Sequence, residues 1–277
     1  MREIGLDELK VIQMDVMSAV HRFCEEHNLR YSLACGSMLG AARHKGYIPW
    51  DDDIDIYLLR DDYDKMNRLF PELLDGRYEF HTLERDSKWR IPYGKVLDMK
   101  TILQEGKVVY SVNIDVYPID RVPGGEEWPR YDRFRRKCFH FYSRRPFPIT
   151  FHARNGVYGF FRSTVSYLFN LSLRCFTAHF FALCYQKVIT YYNKKETGMV
   201  FECAQGIFQK RPFPESLFDD RRLIPFEDRE YMCFADYDTY LTNGFGDWRQ
   251  LPPKEKQVSH HDFKAWWKDD DVKQGKA

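Results

Sequence analysis

The strongest constraint on this chain is the run YIPWDDDIDIYL at residues 47–58, which sets Asp51, Asp52, Asp53 and Asp55 within five positions between apolar flanks. Four carboxylates this close repel one another, so a fold that gathers them must supply a counter-charge. From Asp53 onward acid and isoleucine alternate. A strand has a side-chain period of two, so Asp53 and Asp55 share one face while Ile54 and Ile56 share the other. Two carboxylates so placed stand within reach of one hard cation. Magnesium takes oxygen ligands at about 2.1 Å and usually shares its shell with phosphate oxygens. A calcium loop of the EF-hand kind is excluded, because Leu58, Leu59 and Arg60 stand where its spacing demands ligands. Asp51, directly after Trp50, reads as a residue that holds the turn.

The surrounding segments supply the remaining parts of such a site. Residues 7–27 place Leu9, Ile12, Val16, Val20 and Phe23 at helical steps, which predicts an amphipathic helix. Residues 31–35 read as a short buried strand broken at Gly36-Ser37, with Ser37 the expected N-cap of a helix through Arg43. Free backbone N–H groups at that Gly-Ser turn favour a phosphate. The second strand is expected at 54–59, a helix from Asp61 to Phe70, and further strands near 93–97, 108–110 and 112–120. The last of these, VNIDVYPID, alternates about Asp115, the expected third carboxylate, with Asp98 and Asp120 next in line. Arg43 could clamp a phosphate through two parallel hydrogen bonds. Lys95, alternating on its strand, could face a nucleotide.

Composition narrows the class of protein. Lys and Arg total 42 against 41 Asp and Glu, so no global field points to nucleic acid. Seven cysteines, none in a CxxC pair, fit neither a disulfide framework nor a zinc ribbon and suggest a reduced, cytoplasmic setting. The opening MREIGLDELK has no apolar stretch of the signal-peptide kind. Residues 1–125 read as a catalytic core ending at Pro123-Gly124-Gly125, and 126–277 as a largely helical elaboration. Within it, residues 130–195 interleave arginine with aromatics. Arg162 and Arg174 interrupt the apolar windows below the roughly 20 residues a membrane span needs. Two core helices would explain this region. So would a segment lying on a membrane surface, with Arg133, Arg135, Arg136, Arg144 and Arg145 toward anionic headgroups.

Strand, Gly-Ser, helix, Asp-x-Asp strand and a later strand with one Asp is an order that resembles the nucleotidyltransferase superfamily. The fold class expected is therefore α+β, a polymerase-beta-like mixed sheet flanked by helices. A more specific likeness begins at Tyr31: YSLACGSMLGAARHKGYIPWDDDIDIYLLRDDYDKM is similar to the signature of the LicD family, as are PYGKVLDMKT (92–101), NIDVYPID (113–120) and GFGDWRQLPPKEKQVSHH (244–261). That resemblance implies transfer of a phospho-alcohol, such as phosphocholine, from a CDP-linked donor to a sugar hydroxyl, with CMP released. It implies Mg²⁺, or Mn²⁺ in its place, on Asp53, Asp55 and Asp115. Gly36, Ser37, Arg43 and Lys95 would bind substrate, joined on the strength of the resemblance by His260 or His261. The acceptor would be a cell-surface glycan, in a lipid-linked form met at the inner face of the membrane. A nucleotidyltransferase moving NMP from NTP is the other enzymatic reading, and a metal-binding glycan-assembly protein without catalysis is the third. Neither the alcohol nor the accepting hydroxyl can be read from the residues.

Overall fold

The computed structural model describes residues 1–70, 72–73, 76–106, 108–143, 157–206, 208–258 and 263–268. Strand β1 (Arg2–Ile4) leads into helix α1 (Leu6–Glu26), whose apolar stripe of Leu9, Ile12, Val16, Val20 and Phe23 is fully buried as its spacing predicts. Then follow β2 (Tyr31–Leu33), α2 (Cys35–His44), β3 (Asp55–Leu59), α3 (Arg60–Leu69), β4 (Glu72–Leu73) and β5 (Tyr78–His81). Next come β6 (Gly94–Asp98), β7 (Thr101–Glu105), β8 (Val108–Tyr110) and the long β9 (Asn113–Arg121). Helices α4 (Trp128–Ser143), α5 (Val157–Ser172) and α6 (Ala178–Ile189) precede β10 (Met199–Phe201) and β11 (Phe213–Pro214). The hairpin β12 (Arg221–Phe226) and β13 (Arg229–Phe234), helix α7 (Tyr237–Phe245) and β14 (Phe263–Trp267) complete the described elements.

The fold is mixed α+β. In the main sheet β9 is central: β3 runs parallel along one edge, while β6 and then β10 run antiparallel along the other. Strands β2, β5, β4 and β11 extend the sheet outward. Helix α1 packs its stripe on this sheet, and the hairpin and α7 close the same apolar core. A smaller core joins Leu9 and Ile12 of α1 to a second sheet, β1-β14-β7-β8.

The chain after residue 125 is less helical than its sequence suggests. Helices occupy its first part, but β10 pairs with β9 and β14 with both β1 and β7, so it completes sheets begun by the first half. The start of α2 also differs. The helix begins at Cys35 with Ala34 as N-cap, so Ser37 lies inside the first turn and caps nothing. A third difference concerns the basic region. Arg135, expected at a headgroup surface, is 1% exposed and donates to Asp132, to the Tyr185 hydroxyl and to the Cys203 carbonyl. Its position explains this. Tyr131, Arg135, Cys138, Phe139 and Tyr142 fall on one helical stripe, and that stripe packs on Tyr185 and Phe201. Arg136 is more exposed yet pairs with Asp132 at 2.7 Å, Arg133 is exposed, and Arg144 and Arg145 lie outside the described residues.

Candidate active site

The acidic run ends in β3 with its apolar side inward, as the alternation requires: Ile54 and Ile56 are fully buried. On the other face, the parallel register of β3 and β9 sets Asp55 directly opposite Asp115. The antiparallel register of β9 and β6 sets Asp115 opposite Lys95. Directly paired residues project to the same side of a sheet, so Asp55, Asp115 and Lys95 form one row across three strands. A cleft of about 560 Å³ has this row in its wall, together with Asp53, Asp52 and Asn113.

Each member is held by groups from distant parts of the chain. The Lys95 ammonium donates to Asp115 Oδ1 and, at 3.0 Å, to Asn113 Oδ1, and it lies over the rings of Tyr93 and Tyr110. Tyr117 donates to Asp115 Oδ2 at 3.2 Å and stacks on Tyr93 with centroids 4.4 Å apart. Gln205 donates to both tyrosine hydroxyls. The backbone N–H of Asp55 donates to Ser37 Oγ at 2.8 Å, which is where that hydroxyl is spent. Gln13, a polar residue in the buried stripe of α1, donates to the Asp52 carbonyl at 2.9 Å and pins the acidic loop. Gly40 allows the loop to fold back, since a Cβ there would come within 2.3 Å of the Gly46 carbonyl oxygen. Glu227, from the hairpin, accepts the Tyr47 N–H at 2.9 Å.

The electrostatics of the row are uneven. Burial, then the charges of Asp53, Asp115 and Asp51, push the Asp55 carboxyl well above the usual carboxylate range, with Lys95 opposing. Its Oδ1 is buried with no hydrogen-bond partner. A buried acceptor of this kind, among carboxylates that offer only oxygen, suits a hard cation such as Mg²⁺ or Mn²⁺. Among the described residues, the three carboxylates whose oxygens lie within 4.8 Å of one another are Asp51, Asp52 and Asp53. Asp53 therefore belongs both to that triplet and to the cleft wall shared with Asp55 and Asp115.

The other residues singled out in the sequence fall elsewhere. Gly36 lies against the Asp51 carboxylate, where a Cβ would come within 2.5 Å of Oδ2, so the turn accommodates this chain's own acid. Arg43 is not in the carboxylate cleft. Its guanidinium donates to the Trp248 and Gln250 carbonyls and lines a neighbouring cavity of about 540 Å³ with Gly36, Asp51, Trp50 and Phe208. Asp98 pairs with Arg77, and Asp120 is buried in a two-bond pair with Arg60. His260 and His261 lie outside the described residues.

Sequence reasoning missed Tyr93, Tyr117, Asn113, Gln205 and the buried Glu202, which accepts the Gln205 and Gly206 N–H groups at the cleft wall. Only Gln13 left a signal, as the one amide in an apolar stripe.

Comparison with known proteins bears on the same residues. The sequence profile described as LicD/FKTN/FKRP, nucleotidyltransferase domain, matches residues 28–158, a span that contains Asp53, Asp55, Lys95 and Asp115. The lipopolysaccharide cholinephosphotransferase LicD of Haemophilus influenzae is 28% identical over 270 residues, 96% of this chain and 99% of that protein. Two uncharacterized proteins match more narrowly. That of Rickettsia typhi is 26% identical over 45% of this chain and 40% of its own length, and that of Rickettsia prowazekii 29% identical over 41% and 42%. With the acidic row inside the matched span and the likeness to the Haemophilus protein running nearly end to end, residues 28–158 carry a nucleotidyltransferase domain of the LicD kind.

Proposed function

We propose that this protein is a transferase that moves a phospho-alcohol group, phosphocholine in the leading case, from a CDP-linked donor to a hydroxyl of a cell-surface glycan. The observation that carries this reading is the register of β3, β9 and β6, which lines Asp55, Asp115 and Lys95 in one row beside Asp53. The Haemophilus relative's name supplies the coarse chemistry, a choline phosphate and a lipopolysaccharide acceptor.

In this reaction the acceptor oxygen attacks the phosphorus that carries the alcohol. The bond from that phosphorus to the bridging oxygen breaks, and CMP leaves with the electron pair. Asp53 and Asp55, with Asp115 beside them, would hold Mg²⁺ or Mn²⁺, which when bound offsets the charge of the donor's diphosphate. Asp115 is oriented by Lys95 and Tyr117 and would take the proton of the acceptor hydroxyl. Lys95 would offset the negative charge that builds up on the phosphate. The stacked Tyr93 and Tyr117 hold this end of the cleft rigid through Gln205.

The test is incubation of the full chain with Mg²⁺ and a panel of CDP-alcohols, with a glycan acceptor present, followed by nucleotide analysis. CMP release that depends on one alcohol supports the reading and names the group transferred. Pyrophosphate release from CTP, with no CMP from any CDP-alcohol, would overturn it in favour of nucleotidyl transfer.

A further inference from the structure

Helix α5 is built inside out. Its half-buried positions include Gly159, Ser163 and Asn170, small or polar, whereas Val157, Tyr158, Phe161, Val165, Leu168 and Phe169 face solvent. Tyr158 is 78% and Phe161 66% exposed. A helix packed on a soluble core buries its apolar stripe, and contiguous exposed apolar surface marks an interaction site. Three hydroxyls of α5 are bonded back within the helix. Ser163 donates to the Gly159 carbonyl at 2.9 Å, Thr164 to that of Phe160 at 3.0 Å and Ser172 to that of Phe169 at 2.8 Å. Hydroxyls bonded back in this way need no water.

Charge identifies what covers the face. Residues 133–195 hold twelve of the chain's 42 Lys and Arg and none of its 41 Asp and Glu, which leaves thirty basic against 41 acidic residues elsewhere. Arg135 is neutralised inside the core, but Arg133, Arg162, Arg174 and Lys187 are exposed. A second copy of the chain would bring this basic patch against itself across a twofold axis, with no acid in the stretch to pair it. An anionic lipid surface offers hydrocarbon for the apolar side chains and phosphate for the arginines. The sixteen described residues of α5 reach about 24 Å, against a hydrocarbon core of about 30 Å. Among the described residues no helix is long and apolar enough to cross.

We propose that α5 and the turn through Phe176 form a docking face that lays the protein on an anionic phospholipid bilayer. A cavity of about 400 Å³, lined by Phe139, Tyr142 and Ser143 at the end of α4 and Ala178 at the start of α6, shares Tyr93 and Gln205 with the carboxylate cleft. The proposal stands apart from the reaction assigned above, because its test needs no turnover.

The test is flotation of the full chain with phosphatidylcholine vesicles, with and without phosphatidylglycerol, at about 0.1 M and about 1 M salt, where the screening length shrinks from about 10 Å to about 3 Å. Wild type should float with the phosphatidylglycerol vesicles at low salt and lose at least about tenfold in binding at high salt or on phosphatidylcholine alone. The triple variant F161Q/L168Q/F169Q should lose at least about tenfold on the anionic vesicles with unchanged circular dichroism and melting, and R162Q/R174Q should mainly weaken the salt dependence. Failure of wild type to float, equal flotation of wild type and the triple variant, or equal binding to neutral vesicles would overturn the proposal. So would a stable dimer, seen by sedimentation without vesicles, that the triple variant dissolves, since the face would then belong to a second copy.

Discussion

The row Asp55-Asp115-Lys95 and the helix α5 invert each other's chemistry. In the first, charged groups sit in the wall of a cleft, backed by the fully buried Ile54 and Ile56, and each is held by a partner far away in the chain. In the second, large apolar side chains such as Tyr158, Phe161 and Phe169 face outward while Gly159, Ser163 and Asn170 are half-buried. Residue type alone therefore does not decide which side of the surface a group occupies. Register decides it in the sheet, and packing of the neighbouring stripe decides it in the helices. Buried charge of this kind is costly unless something uses it, and exposed apolar area is costly unless something covers it.

The sharpest way to break the comparison is to change each region and read one activity. Asp53→Asn, Asp55→Asn and Asp115→Asn should each lower CMP release by roughly 10²–10⁴-fold, the range for loss of a positioned catalytic group. The α5 triple variant F161Q/L168Q/F169Q should stay within about twofold of wild type on a water-soluble acceptor, because surface changes of this kind rarely perturb the fold. Near-wild-type turnover in any one of the aspartate variants would remove that residue from the site.

The next effect is on stability, and it runs against the usual expectation that arginines are surface residues. Arg135→Ala should cost about 3–5 kcal/mol in urea denaturation, because it takes from Asp132 Oδ1 its buried partner and removes a side chain that is 1% exposed. The site is tailored to this side chain: a Cβ at Gly206 would come within 2.4 Å of the Arg135 guanidinium. The three glutamines on α5 together should cost far less. If Arg135→Ala proved as mild as they are, the buried stripe of α4 would be wrongly assigned.

These two regions also mark how far the sequence could be read. The acidic front and apolar back of β3 were legible because a period of two is a local property, and so was the stripe of α1. Arg135 was legible in principle, since it stands in step with Tyr131, Cys138, Phe139 and Tyr142, but it was hidden by the neighbouring arginines at 133 and 136. Asp115 was expected as the third carboxylate, but what could not be read was the register that sets it directly opposite Asp55, 60 residues away, or the arrival of Gln205 on the hydroxyls of Tyr93 and Tyr117. Those contacts depend on which strands become neighbours, and no local pattern encodes that. At the Gly-Ser turn, too, the neighbours come from further along the chain: the Asp51 carboxylate lies against Gly36, and the Ser37 hydroxyl accepts the Asp55 N–H.

A smaller effect tests whether the row is strained by its own charge. In the metal-free protein Asp55→Asn should raise stability by on the order of 2 kcal/mol at neutral pH, by removing a charge buried beside others. The sign follows from linkage. Folding raises the Asp55 pKa above its ordinary value of 3.8, so the unfolded chain releases the proton first and stability falls as pH rises through that value toward the raised one. Melting curves of wild type and variant should therefore coincide below about pH 3.8 and separate as pH climbs. Added Mg²⁺ should close or reverse the gap, since binding stabilises only the chain with its ligands intact. A gap that shrank as pH rose would contradict the assignment of the raised pKa.

The smallest effect compares one residue type in both regions. Ser37 and Ser163 each use a hydroxyl within a helix, but Ser37 accepts the buried Asp55 N–H, whereas Ser163 only donates to a carbonyl of its own helix that already serves the helical ladder. Ser37→Ala should leave a buried donor unmet and cost about 1–2 kcal/mol, and it should also lower turnover, because it frees the backbone that aims Asp55 into the cleft. Ser163→Ala should lie within about 0.5 kcal/mol of wild type, since alanine is the better helix former and nothing else depends on that hydroxyl. Urea denaturation and CMP release on the two variants would decide it. Equal effects at both positions would mean that the Ser37 hydroxyl is not what fixes Asp55, and that the precision of the row comes from the strand register alone.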